Sequence, residues 1–146
     1  MSRALIDANV FLYALGADHS YREPCRDLVT RLARGELAGE LSVEILQEVV
    51  HVRRRRGDRE ASERAREVIA WGIPVHGLEP KDFDAALELL DEHPELHTRD
   101  AVHAGMARNR SIELIVSTDA DFDPLPGLER IDPGDPHLLE RLAPAG

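Results

Sequence analysis

One cysteine, one lysine and no long apolar run distinguish this 146-residue sequence more than anything it holds in abundance. A lone Cys25 excludes an intramolecular disulfide and any thiolate metal cluster. It falls among the apolar positions of a helical stretch, so the expectation is a buried structural thiol and not a nucleophile. No stretch approaches the ~20 apolar residues that span a bilayer. Met1-Ser2-Arg3 lead straight into a short apolar segment with no signal-peptide core. Both features predict a cytoplasmic protein without a membrane contact. Aromatic residues are only 4% of the chain, which leaves few platforms for stacking bases. Positive charge is also scarce: 18 Lys and Arg face 28 Asp and Glu, for a net charge of −10. That balance argues against a general nucleic-acid-binding surface. A nucleic-acid substrate stays open, because bound metal ions and a local basic patch can supply the missing potential. Lys81 is the only lysine. An arginine-only surface favours bidentate phosphate contacts, although a composition bias is the plainer account.

What is present reads as globular: 42% hydrophobic and 32% charged residues, over a length suited to one domain spanning 1–146. Strand-like runs recur at Arg3–Asp7, Leu37–Ser42, Ile73–Leu78, Glu113–Ser117 and Leu128–Asp132, separated by helical patterns. Ser20-Tyr21-Arg22-Glu23 has the form of a capping box ahead of Cys25, Leu28, Val29 and Leu32 at helical spacing. A second helix is predicted from Val43 to Arg56, stopping at Gly57, and Asp58 is placed to cap a third that ends near Gly72. Two more follow at about Pro80–Glu92 and Thr98–Arg110, and Pro136–Leu142 suits a short closing helix. Strands alternating with helices predict an α/β fold: a three-layer α/β/α sandwich around a mostly parallel sheet of four to five strands. In such sheets ligands bind at the carboxyl ends of the strands, where the strand order switches.

Four acids stand out against that plan. Asp7 closes the first apolar run, Glu48 and Asp100 lie on predicted helices, and Asp119 follows Leu114-Ile115-Val116. Two carboxylates about 5 Å apart at an effective dielectric near 20 repel by roughly 3 kcal/mol. Gathering four makes six such pairs, on the order of 20 kcal/mol before screening, more than the roughly 5–15 kcal/mol by which a domain is stable. Such a cluster holds a proton, pairs with cations, or binds a divalent metal, for which Mg²⁺ or Mn²⁺ best suits all-oxygen ligands. Plainer roles exist for three of the four. Asp100 suits a helix N-terminus by the dipole alone, Asp119 suits a turn, and Glu48 could be solvated. Asp7, flanked by apolar residues, is hardest to explain without a partner.

The strings around these acids carry a resemblance. Leu5-Ile6-Asp7-Ala8-Asn9-Val10, Leu46-Gln47-Glu48-Val49, Thr98-Arg99-Asp100-Ala101-Val102-His103-Ala104 and Val116-Ser117-Thr118-Asp119-Ala120-Asp121-Phe122 together resemble the PIN domain, the nuclease fold of VapC-type toxins. The likeness runs from Arg3 to about Asp132. It implies that Asp7, Glu48, Asp100 and Asp119 form an acidic quartet around Mg²⁺ or Mn²⁺ that hydrolyses RNA phosphodiesters through metal-activated water. It implies Asn9 and Ser117 as polar neighbours that orient water or metal. Glu44, four residues before Glu48 on the same helix face, competes with it for the site, and Asp121 is an auxiliary candidate. The resemblance further implies an endoribonuclease toxin of a type II toxin–antitoxin system, an antitoxin partner and a homodimer. His103, three residues after Asp100 on the same face, reads as a hydrogen-bonded packing histidine ahead of a ligand or proton shuttle. Arg53, Arg54, Arg55 and Arg56 suit a solvated helix end, or else a contact for RNA or an acidic partner. One rival class, phosphatases and phosphoacceptor domains, wants a lysine near the last strands, and the first of these wants Asp-x-Asp. Asp7-Ala8-Asn9 and a lone mid-chain Lys81 speak against both. The other rival is a catalytically silent module of the same fold that binds RNA or protein.

Overall fold

The structure, a computed structural model, describes residues 3–142, so Met1, Ser2 and the last four residues of the expected 1–146 domain lie outside the described part. Each of the five apolar runs carries a strand: β1 (Ala4–Ile6), β2 (Gly39–Ser42), β3 (Val75–His76), β4 (Leu114–Val116) and β5 (Glu129–Ile131). Between and after them come α1 (Ala8–Leu15), α2 (Arg22–Ala33), α3 (Val43–Arg55), α4 (Ala61–Ala70), α5 (Pro80–Glu92), α6 (Thr98–Asn109) and α7 (Leu138–Arg141). A single 3₁₀ turn, Ala120–Phe122, follows β4. Every residue of β1 and β4 is buried, as continuous apolar strands covered on both faces must be.

All four strand pairings are parallel, in the order β3-β2-β1-β4-β5, so the sheet is wholly and not just mostly parallel. The chain runs outward from β1 to β3, returns to the far side of β1 as β4, and continues out to β5. The order therefore switches between β1 and β4. Ile6 pairs with Val116 in register, so Asp7 stands across from Ser117, and the Asp7 amide donates to the Val116 carbonyl at 3.0 Å. Helices flank the sheet in the α/β/α arrangement expected of the PIN fold. Among the described residues, no helix is long and apolar enough to cross a membrane.

Three local expectations need correction. Helix α1 has no counterpart in the sequence reading, because Asn-Val-Phe-Leu-Tyr-Ala-Leu is too apolar to show an amphipathic period. Val10, Phe11 and Ala14 are buried, and the Asp7 carboxylate caps the helix. The capping box at Ser20 does not form. Helix α2 starts at Arg22 with Tyr21 at its N-cap and no side-chain cap bond. A tertiary contact holds this end instead, with the Tyr21 hydroxyl 2.5 Å from Asp132 Oδ2. Asp58 precedes α4 by a turn: one oxygen accepts from the Glu60 amide at 2.9 Å, and the other takes Arg53 and Arg64, each at 3.0 Å.

Helices α5 and α6 approach closely at Gly105, where a Cβ would sit 2.7 Å from the Asp82 carbonyl and 2.8 Å from the Ala86 amide nitrogen. This contact packs α6, the helix that carries Asp100, closely against α5.

Candidate active site

The carboxyl ends of β1 and β4 meet through one hydrogen-bonded knot. Asp7 is 6% exposed. Its Oδ1 accepts from the Ala8 amide at 2.8 Å, and its Oδ2 accepts from Ser117 Oγ at 2.7 Å and Asn9 Nδ2 at 3.1 Å. Asn9 Oδ1 in turn accepts from the Thr118 amide at 3.3 Å, and Ser117 Oγ from the Asp119 amide at 3.0 Å. Asn9 and Ser117 thus fix the Asp7 carboxylate and tie it to the loop carrying Asp119. Asp119 itself caps the 3₁₀ turn, accepting from the Asp121 amide at 2.9 Å.

Around this knot, Asp7, Glu48, Asp100 and Asp119 all line a single pocket of about 280 Å³, with Asn9, His97, Arg99 and His103 completing its wall. Two sets of ligand atoms converge in and beside it. Those of Asp7, Glu48 and His103 lie within 4.8 Å of one another, as do those of Asp100, Asp119 and Asp121. Glu48 and Glu44 part company: Glu48 faces the acidic pocket, whereas Glu44 lines a neighbouring cleft. Asp121 stands half-exposed at the rim, with His97 Nε2 3.7 Å from its carboxylate. The four arginines diverge. Arg53 and Arg56 border a cleft beside α1, Arg54 and Arg55 a groove between α3 and α4, and none lines the acidic pocket.

Two participants escape the sequence. His103 is buried and faces the pocket among Asp7 and Glu48, although its position three residues after Asp100 fits a packing role equally well. Arg99 pairs with Glu48 across 51 residues of chain, a contact that no local spacing encodes.

The electrostatics follow from what the pocket lacks. Glu48 has Arg99, but among the described residues no arginine or lysine pairs with Asp7, Asp100 or Asp119. Burial, reinforced by the charges of Asp119, Asp7 and Asp121 and partly opposed by His97, pushes the Asp100 carboxyl up to about 7. A carboxyl raised in this way favours a proton or a cation in the pocket, two of the three outcomes open to such a cluster. Its donor set, carboxylate oxygens with one imidazole, fits a hard divalent cation of the Mg²⁺ or Mn²⁺ kind. Cys25 is remote from this chemistry: it is buried in the core, and burial drives its thiol up to about 12.

A parallel sheet with acids gathered at its switch point defines an α/β domain built to collect negative charge at one edge. More particularly, the chain belongs to the PIN-domain family, whose model matches residues 4–128. Ribonuclease VapC7 of Mycobacterium tuberculosis is 33% identical over 137 residues, covering 88% of this chain and 90% of that protein. Among solved structures, Mycobacterium tuberculosis VapC20, a sarcin–ricin loop cleaving toxin, aligns with a TM-score of 0.69 at 19% identity, over 83% of this chain and 93% of that one. A toxin–antitoxin complex from Klebsiella pneumoniae aligns with a TM-score of 0.66 at 15% identity, over 89% and 97% of the two chains.

Proposed function

We propose that this protein is a Mg²⁺- or Mn²⁺-dependent endoribonuclease, the toxin of a type II toxin–antitoxin pair, whose catalytic centre is Asp7, Glu48, Asp100 and Asp119. The observation that carries this reading is the meeting of Asp7, Glu48, Asp100 and Asp119 in one pocket, where among the described residues no arginine or lysine pairs with Asp7, Asp100 or Asp119. Burial and the neighbouring carboxylates raise the Asp100 carboxyl accordingly. Asp7, Glu48, Asp100 and Asp119 would hold the cation, with His103 and Asp121 as auxiliary donors. The bound cation supplies positive charge that stabilises the phosphate in the transition state and lowers the pKa of water.

The chain's own residues do the rest. Asn9 and Ser117 keep the Asp7 carboxylate at one angle, which limits the reorganisation needed when RNA arrives. Asp100 gives up its proton as the site fills, so occupancy grows stronger toward pH 7 and above. Arg99, exposed at the rim, offers a guanidinium to the RNA backbone beside the scissile phosphate. Hydrolysis in line would leave 5′-phosphate and 3′-hydroxyl ends. The name of the VapC7 relative supports RNA as substrate, and the toxin–antitoxin complex of the same fold supports an antitoxin partner. A homodimer and a cytoplasmic location complete the proposal.

The test is incubation of the pure, folded protein with mixed cellular RNA in Mg²⁺, Mn²⁺ or EDTA, beside Asp119→Asn. Cleavage with either metal, absent in EDTA and reduced on the order of 10²–10³-fold in the variant, is the expected result. No cleavage with any metal would favour the silent RNA- or protein-binding module instead.

A further inference from the structure

A second cleft, of about 490 Å³, opens beside the acidic pocket between α3, α5 and α6. We propose that it is a base-recognition subsite that accepts a guanine of the substrate RNA, an inference that rests on the ribonuclease reading above. The two cavities share Glu48, Arg99 and His103 as a common wall. A strand with one phosphate at the acids would therefore present a neighbouring base to this cleft.

One side of the cleft is apolar, formed by Leu78, Phe83 and Val102. Phe83 is 44% exposed, whereas the other two phenylalanines, Phe11 and Phe122, are buried in the core. An aromatic ring left at the surface beside the site is a stacking platform in a chain that has few. The polar side is Glu44 and Gln47, three residues apart on α3 and so neighbours on one helix face. Glu44 carries the informative detail: its Oε2 is buried and has no hydrogen-bond partner among the described residues. An acceptor in that state gains by turning toward a donor, and the cleft it lines is where a donor can arrive.

A carboxylate only accepts hydrogen bonds. Its best complement is a base edge with two adjacent N–H donors, and guanine alone provides this, through N1–H and the 2-amino group. Adenine and cytosine place one amino group beside an acceptor, and uracil sets one N–H between two carbonyls. The Gln47 amide can donate to guanine O6, completing the edge. Glu44 thus belongs to base recognition and Glu48 to the acidic pocket, which gives separate roles to two acids one helical turn apart.

The test separates binding from cleavage by titrating the full-length Asp100→Asn protein, in EDTA, with nucleosides followed by NMR. Uncharged nucleosides avoid repulsion by the pocket. Guanosine should bind about tenfold more tightly than inosine, which lacks the 2-amino group, and than adenosine or cytidine. Adding Phe83→Ala should weaken guanosine about tenfold, and Glu44→Gln should abolish the gap between guanosine and inosine. Equal or absent binding of all nucleosides overturns the subsite, whether because nothing enters the cleft or because a second copy of the chain covers it. Guanosine affinity indifferent to both substitutions overturns it as well. Selective guanosine binding by a protein that cuts no RNA would sustain the subsite and defeat the nuclease reading, so the two fail separately.

Discussion

Asp82 and Asp100 occupy the same place in two helices that pack together, the first turn of α5 and the first turn of α6. Both are withdrawn from water, yet they behave oppositely. Burial alone would raise the Asp82 carboxyl, but hydrogen bonds from Arg110, Asn109 and the Glu79 amide outweigh it and hold the group at about 2. Glu40 repeats the pattern, with Arg3 and His76 overcoming the effect of burial and keeping its carboxyl below the ordinary range. Asp100 meets Asp119, Asp7 and Asp121 instead, and its carboxyl rises to about 7. Residue type and position in the helix are alike in the two regions; the sign of the charge that the fold supplies is not. Arginines are committed to the acids that hold helices and strands together. Arg99 on Glu48 apart, the pocket's negative charge is left to be met from outside the chain.

Breaking the compensated side should have the largest effect. Arg110→Ala would strand Asp82, which is 0% exposed, and should destabilise the fold by about 3–5 kcal/mol in urea unfolding, with cleavage per folded molecule unchanged. A loss below about 1 kcal/mol would mean that Asp82 is not held as an uncompensated buried charge once Arg110 is gone.

The uncompensated side makes a smaller prediction of opposite sign. A folded carboxyl above its unfolded value binds more protons in the native state, so stability falls as pH rises between the two values. For Asp100 the window runs from the ordinary 3.8 to about 7. In EDTA, the wild-type protein should lose stability across that window, while Asp100→Asn should lose less and be more stable by about 1–2 kcal/mol at its alkaline end. The Asp82 carboxyl, lowered to about 2, contributes stability that is full above 3.8 and disappears only as pH falls toward 2. Parallel pH profiles for wild type and variant would show that burial and neighbouring carboxylates do not strain Asp100. The smallest effect belongs to Asn9→Ala, which removes one of the donors to Asp7 Oδ2 and leaves Ser117 in place. Cleavage should fall roughly tenfold with little change in melting temperature, since a supporting hydrogen bond is lost and the carboxylate stays.

Much of this was legible in the chain itself. Five apolar runs announced five strands, and strands alternating with helices fix a parallel sheet, because a crossover between parallel strands needs a covering helix. Asp7 follows β1 directly and Asp119 lies three residues past the end of β4, so the topology brings them to the switch point whatever their side chains do. The oxygen-rich character of the site and its need for a proton or a cation follow from residue type and Coulomb's law.

Other features were decided only by tertiary structure. Helix α1 is held by burial on several sides, which leaves no periodic signal to read. Glu44 and Glu48 lie on one helical face, and only the placement of α3 beside two cavities separates them, setting Glu48 on the wall of the acidic pocket and Glu44 on that of the adjacent cleft alone. The pairing of Arg110 with Asp82, of Arg3 with Glu40 and of Arg99 with Glu48 joins residues 28, 37 and 51 positions apart. Sequence set the inventory of charges and the edge at which four acids gather. Which acids receive an arginine depends on distances between segments far apart in the chain, and those distances exist only once the helices have packed.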